Sequence, residues 1–252
     1  MQDGFIKTAA GTPDIKVADC EYNCGQITAL IEKASAQGAR ILVLPELCVT
    51  GYTCQDLFFQ QELLDGALSA LKTIVQSTAG KNMLTAVGCP LRFRGELYNC
   101  AVMIMDGRIL GVVPKKYLPN YNEFYEKRHF TAAPDGQYDI EIFGESVPFG
   151  LGLLFECRQL PDLVFAAEIC EDLWAAEPPS IGLALGGATI IANLSASNEV
   201  IGKDAYRREL VSGQSARLLC GYIYASAGSG ESTQDLVFSG HDIIAENGIL
   251  LA

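Results

Sequence analysis

Apolar residues recur along this chain with two periods. Ile27, Leu30, Ile31 and Ala34 fall at i, i+3, i+4 and i+7, the spacing that gathers side chains on one face of a helix, and Gly38 supplies a stop. Leu64, Ala67, Leu68, Leu71, Ile74 and Val75 repeat the pattern and predict a second helix ending near Gly80. Ile41-Leu42-Val43-Leu44 is too short for a helix and reads as a buried strand. Strands are likewise predicted over 5–10, 83–88, 98–105, 109–113, 163–169, 188–194 and 222–225, with a glycine-rich helical segment between 169 and 188 and a longer helix around 204–219. Asp106-Gly107 and Asn247-Gly248 stand between apolar runs and predict two-residue hairpins, the second joining 236–245 to 249–252. Helices interleaved with single strands and hairpins indicate a layered α/β domain with mixed sheets.

Composition narrows the class. Of 252 residues, 49% are hydrophobic, the excess expected where inner strands are buried on both faces. Eighteen Lys and Arg against 30 Asp and Glu leave a formal charge of −12. Basic residues gather only in doublets, Lys115-Lys116, Lys127-Arg128 and Arg207-Arg208, so a nucleic-acid partner is not expected. No apolar run reaches the roughly 20 residues that span a bilayer, and Met1 to Phe5 carries no signal-peptide pattern, so no membrane contact is expected. Nine cysteines without export point to free thiols in a reducing cytoplasm. With two histidines and no Cys-x-x-Cys spacing, no metal site is expected.

Three reactive side chains stand where a strand pattern ends. Glu46 follows Ile41 to Pro45, Lys115 follows 109–113 and Pro114, and Cys170 follows 163–169. Loops at strand ends are held by a rigid sheet, which is where layered α/β proteins build sites. A thiol attacks well only as thiolate. A carboxylate can take its proton and later serve the leaving amine and the incoming water. An ammonium can hold the charge that develops on a carbonyl oxygen, alongside a backbone N–H. Cys, Glu and Lys together suffice for acyl transfer through a thioester, whereas neither His129 nor His241 stands in a context suggesting a Cys-His dyad. Each residue has a plainer reading: a core thiol, a capping carboxylate, a surface lysine. Spacing alone does not choose.

The segments around these residues resemble the nitrilase (carbon–nitrogen hydrolase) superfamily, and within it the glutaminase halves of glutamine-dependent NAD+ synthetases. Leu44-Pro45-Glu46-Leu47 with Gly51-Tyr52 resembles the glutamate motif, and Thr53-Cys54-Gln55-Asp56-Leu57-Phe58 resembles the synthetase branch. Gly111 to Pro119, running into Tyr121-Asn122-Glu123-Phe124-Tyr125-Glu126, resembles the lysine motif. Glu168-Ile169-Cys170-Glu171-Asp172-Leu173-Trp174 resembles the nucleophile motif, and Asn193 to Asn198 the substrate-binding strand end.

The resemblance implies a four-layer α-β-β-α sandwich over residues 1–252, with Cys170 as nucleophile, Glu46 as general base and Lys115 as oxyanion stabiliser. Lys115 is preferred to Lys116 because the pattern Lys-x-x-Leu counts back from Leu118. It implies Glu123 as the second glutamate beside the lysine, Tyr121 as a pocket-closing residue, and Glu171 and Ser197 as groups holding the ammonium and carboxylate of L-glutamine. It implies no cofactor for the glutaminase step. ATP and Mg belong to a C-terminal NAD+ synthetase domain that this chain lacks: the nearest glycine-rich segment, Ser226 to Gly230, leads into a β pattern rather than a helix. The stop at Leu250-Leu251-Ala252, inside a strand pattern, suggests a truncated domain. A homo-oligomer is implied too. Two alternatives remain: a stand-alone amidase acting on another small amide or carbamoyl compound, and a catalytically silent assembly module.

Overall fold

The computed structural model describes residues 4–252. Among them are five α-helices: α1 (Cys20–Ala36), α2 (Gln61–Ser77), α3 (Glu171–Trp174), α4 (Pro179–Leu185) and α5 (Lys203–Leu218). The strands are β1 (Thr8–Ala10), β2 (Ile41–Val43), β3 (Leu84–Phe93), β4 (Glu96–Met105), β5 (Arg108–Pro114), β6 (Gln137–Ile142), β7 (Glu145–Gly150), β8 (Phe155–Glu156), β9 (Val164–Ile169), β10 (Ile190–Ser195), β11 (Gly221–Ser226), β12 (Ile243–Glu246) and β13 (Ile249–Leu250).

They make two mixed sheets, one seven-stranded in the order β1-β2-β3-β4-β5-β7-β6 and one six-stranded in the order β13-β12-β11-β10-β9-β8. Every strand of the first sheet precedes every strand of the second in the chain. Three apolar interfaces stack in parallel. Ile27, Ile31, Leu71 and Ile74 pack α1 and α2 on the outer face of the first sheet. Val43, Ala86, Met103, Phe165, Ala167, Ala192 and Ile223 fill the space between the sheets. Leu183, Val211, Tyr222 and Tyr224 join α4 and α5 to the second sheet. This is the expected four-layer sandwich.

Local chemistry explains the boundaries. The Asp19 carboxylate accepts from the Tyr22 N–H at 3.0 Å and caps α1, and Gly38 leaves it with φ +81°. Asp106-Gly107 and Asn247-Gly248 both turn with positive φ, as a two-residue hairpin of right-handed strands requires. Arg94-Gly95 and Phe143-Gly144 make the same turn between β3 and β4 and between β6 and β7, although their first residues lack the Asn or Asp that signals it.

The predicted strand over 5–10 shortens to β1, and the stretch 236–242 is not a strand; β12 begins only at Ile243. There the chain runs past the ends of β10 and β11, bonding to Ser197, Glu199 and Ala227, and is anchored by Asp242, which accepts from Thr12 Oγ1 at 2.9 Å and the Ser226 N–H at 3.1 Å. The Ser226–Gly230 segment serves packing. Gly230, at φ +96°, lies so close to Ile15 that a Cβ would fall 1.7 Å from its carbonyl oxygen.

Candidate active site

The ends of β2, β5, β9 and β10 converge on one point between the sheets. Past β2 the chain turns through Glu46, with Leu47 at φ +50°. This turn lies directly on Gly88 of β3, where a Cβ would sit 2.3 Å from the Leu47 nitrogen and 2.4 Å from the Pro45 oxygen. Only glycine permits that approach. The Glu46 N–H donates to the Ser195 carbonyl at 3.3 Å, joining the two sheets at this point.

Glu46 and Lys115 are both wholly buried. Lys115 Nζ donates to Glu46 Oε1 and to Glu126 Oε1, each at 2.6 Å. Asn99 of β4 donates its amide to the same Glu46 oxygen at 2.6 Å, and the Tyr52 hydroxyl donates to Glu126 at 2.8 Å. Glu46 Oε1 is therefore held by two donors, while Oε2 has no hydrogen-bond partner among the described residues. Burial is the largest influence on Lys115 and works against its charge. Glu126 and Glu46 outweigh it and hold the ammonium protonated well above the ordinary lysine range. Burial, with the nearby Glu46 charge, lifts Glu126 to about 7 against the pull of Lys115.

The glutamate beside Lys115 is thus Glu126, not Glu123. Glu123 accepts instead from the Asn198 amide. The intervening turn, where the Phe124 N–H bonds to the Tyr121 carbonyl at 2.9 Å, carries Glu123 to the rim and lets the chain re-enter at Glu126. Two carboxylates stand three positions apart in one motif, and the sequence offers no way to tell which turns inward.

Cys170 stands between β9 and α3, at the cap of the helix, with φ +45°, a strained position for a side-chain-bearing residue. Its N–H donates to the Leu194 carbonyl at 3.0 Å and to Asn193 Oδ1 at 3.2 Å. The buried thiol lies within the fields of Glu46, Lys115 and Glu126. Burial first, and the Glu46 charge second, push its proton affinity far above an ordinary thiol's; Lys115 and the Ala196 N–H oppose this. At rest it is a thiol, not a thiolate.

Asp172 ties this elbow to the lysine loop. Its buried carboxylate accepts from Ile169 N at 2.9 Å, Tyr117 N at 2.8 Å and Lys116 N at 3.2 Å. One side chain therefore sets the spacing between nucleophile and ammonium.

The remaining candidates line the mouth. Tyr121, half exposed, donates its hydroxyl to both Glu171 oxygens at 2.9 and 3.0 Å. Ser197 is buried at the end of β10, its oxygen accepting from Arg207 at 3.3 Å. Lys203, which the motifs did not single out, donates to Asn198 and lies over the Trp174 ring at 5.0 Å. Burial lowers its proton affinity, though the nearby Cys170, Glu123 and Glu171 act in the opposite sense. Asn99 and Asn193 were detectable as polar residues inside apolar strand runs; Arg207 gave no such signal.

A buried thiol, an ammonium and a carboxylate with one free oxygen are the groups of a carbon–nitrogen hydrolase, and residues 7–252 match the model of that family, described as carbon-nitrogen hydrolase. The chain belongs to the carbon-nitrogen hydrolase family. A glutamine-dependent NAD(+) synthetase of Mycobacterium tuberculosis is 44% identical over 251 residues, covering 100% of this chain and 37% of that protein. The human protein of the same name is 33% identical over 245 residues, covering 93% and 34%. This hydrolase chain therefore spans little more than a third of the length of these relatives. The crystal structure of a glutamine-dependent NAD(+) synthetase from Cytophaga hutchinsonii superposes with a TM-score of 0.88 at 32% identity, covering 98% of this chain and 40% of that one. An amidase from Nesterenkonia sp. superposes at 0.76 with 19% identity, covering 100% and 86%, a likeness of fold.

Proposed function

We propose that this carbon–nitrogen hydrolase domain hydrolyses the side-chain amide of L-glutamine, acting as the glutaminase unit of a glutamine-dependent NAD+ synthetase. The observation that carries the mechanism is Glu46: one oxygen fixed by Lys115 and Asn99, the other free beside a protonated thiol. A neutral thiol needs a base; Glu46 Oε2 and Glu126 Oε2 are both buried and unengaged among the described residues, and of the two carboxylates Glu46 acts the more strongly on the Cys170 thiol.

Glu46 removes the Cys170 proton as sulfur attacks the carboxamide carbon. Lys115 Nζ and the N–H of Glu171, which begins α3 and has no helical acceptor, stabilise the tetrahedral oxyanion. Glu46 then returns the proton to the amide nitrogen, the C–N bond breaks and ammonia leaves. A water molecule, losing its proton to Glu46, attacks the γ-glutamyl thioester; the C–S bond breaks, glutamate forms and the thiol regains its proton. At the mouth, Glu171 suits the substrate's α-ammonium, with Tyr121 closing over it. Ser197 and Lys203 suit its α-carboxylate. Glu126 is the second carboxylate that holds Lys115, the place that Glu123 held in the sequence-based expectation.

Ammonia released here would pass to a C-terminal synthetase domain of the same polypeptide, and ATP and Mg belong to that domain's reaction. The names of the relatives and the fraction of their length that this chain spans support that assignment. The nine free thiols suit a reducing cytoplasm, and exposed Leu185, Ile201 and Leu219 suit self-association into a homo-oligomer.

The test is ammonia release from L-glutamine by the full-length polypeptide. Cys170→Ala should lower it by about 10^4-fold or more and abolish labelling by a diazoketone analogue of glutamine, while far-UV circular dichroism is unchanged. Turnover retained in that variant would sink the reading.

A further inference from the structure

Arg207 is among the largest wholly buried side chains of the molecule, a cation held between α5 and the segment that follows β10, and the hydrolytic mechanism does not use it. Its surroundings are unusual for a buried charge. Glu199, its ion-pair partner, is 3.4 Å away and 39% exposed. Its Nε has no partner among the described residues. Nη1 donates to His241 Nδ1 at 3.0 Å, and Nη2 to the Asn198 carbonyl at 3.1 Å and Ser197 Oγ at 3.3 Å. The guanidinium is therefore only partly neutralised, and two of its bonds end on the strand end that lines the substrate mouth.

We propose that Arg207 is the positioning residue that makes the Ser197 end of the pocket select an amide carrying a carboxylate. A guanidinium only donates and keeps its proton. By occupying an acceptor site of the Ser197 hydroxyl, it leaves that hydroxyl as a donor towards the pocket. The hold on the Asn198 carbonyl fixes the backbone that presents Ser197, and the poorly compensated charge favours an anion there over a neutral group. Lys203, also near this end, makes the preference stronger. This inference rests on the glutamine reading and adds to it the origin of selectivity.

The experiment uses the full-length polypeptide with two substrates, L-glutamine and 4-aminobutanamide, which is glutamine without its α-carboxylate. Arg207→Gln should raise KM for glutamine by about 10-fold or more with a smaller effect on kcat, as expected for lost binding shared by ground and transition states. The preference for glutamine over 4-aminobutanamide in kcat/KM should fall by a similar factor. Arg207→Lys, which keeps a buried cation without the forked donors, should lie between, and it serves if the Gln variant does not fold. Combining Arg207→Gln with Ser197→Ala should cost less than the two single losses added, because Arg207 acts through Ser197. An unchanged preference in the Arg207 variants, or strict additivity, overturns the proposal. A wild-type enzyme that does not distinguish the two amides overturns the glutamine reading and this inference with it, a result visible before any variant is made.

Discussion

Glu46 and Glu126 share one ammonium but present it with different prospects. Glu46 has Asn99 and Lys115 on one oxygen and nothing on the other. Glu126 likewise receives Lys115 and Tyr52 on one oxygen, with its other oxygen unpartnered among the described residues, but burial with the Glu46 charge raises it to about 7. Above that pH the cluster carries two carboxylates and one cation, and the extra negative charge sharpens Glu46 as a base. Below it Glu126 gains a proton, Lys115 is left ion-paired with Glu46 alone, and Glu46 takes the thiol proton less readily. We therefore expect kcat/KM for glutamine to fall as pH drops through about 7. Glu126→Gln should remove that inflection while lowering the plateau; a profile with the inflection intact would assign the titration elsewhere. The three reactive residues were legible because their motifs surround them. The Glu123 expectation failed for a reason of geometry, since Tyr121 to Glu126 makes one irregular turn whose inward residue no periodicity reports.

Elements were legible where a period or a turn residue marks them. The long helices α1 and α2 follow from i, i+3, i+4 spacing, and the Asp-Gly and Asn-Gly hairpins from their first residues. The β3–β4 and β6–β7 hairpins hid behind Arg94 and Phe143, which accept positive φ only because paired strands impose it. Gly88 hid as well: in sequence it is one glycine inside a strand run, yet it is the surface on which the Glu46 turn rests. Gly88→Ala would force apart backbone atoms that a Cβ approaches within 2.3–2.7 Å. We expect it to cost at least about 1–3 kcal/mol of stability, the usual range for overpacking, and to depress kcat more than the lost stability explains, because the displaced segment carries the base. Urea unfolding alongside glutamine kinetics measures both; a stable and fully active variant would show that the turn can relax.

At the scale of the molecule, the feature that matters is the order in which the chain makes its sheets. Residues up to Gly150 supply all seven strands of one, with Glu46, Lys115 and Glu126; residues from Phe155 onward supply all six of the other, with Cys170, Ser197 and Lys203. The polypeptide is consequently severable. A cut in the short link at residues 151–154 passes between strands rather than through one. It yields a fragment holding base and electrophile and a second holding the sulfur. Neither piece can turn over an amide alone, and mixing them should regenerate ammonia release in proportion to their association. That makes the reaction a reporter of two half-molecules finding each other, and fragments that associate without recovering any turnover would show that the link itself sets the reacting distance.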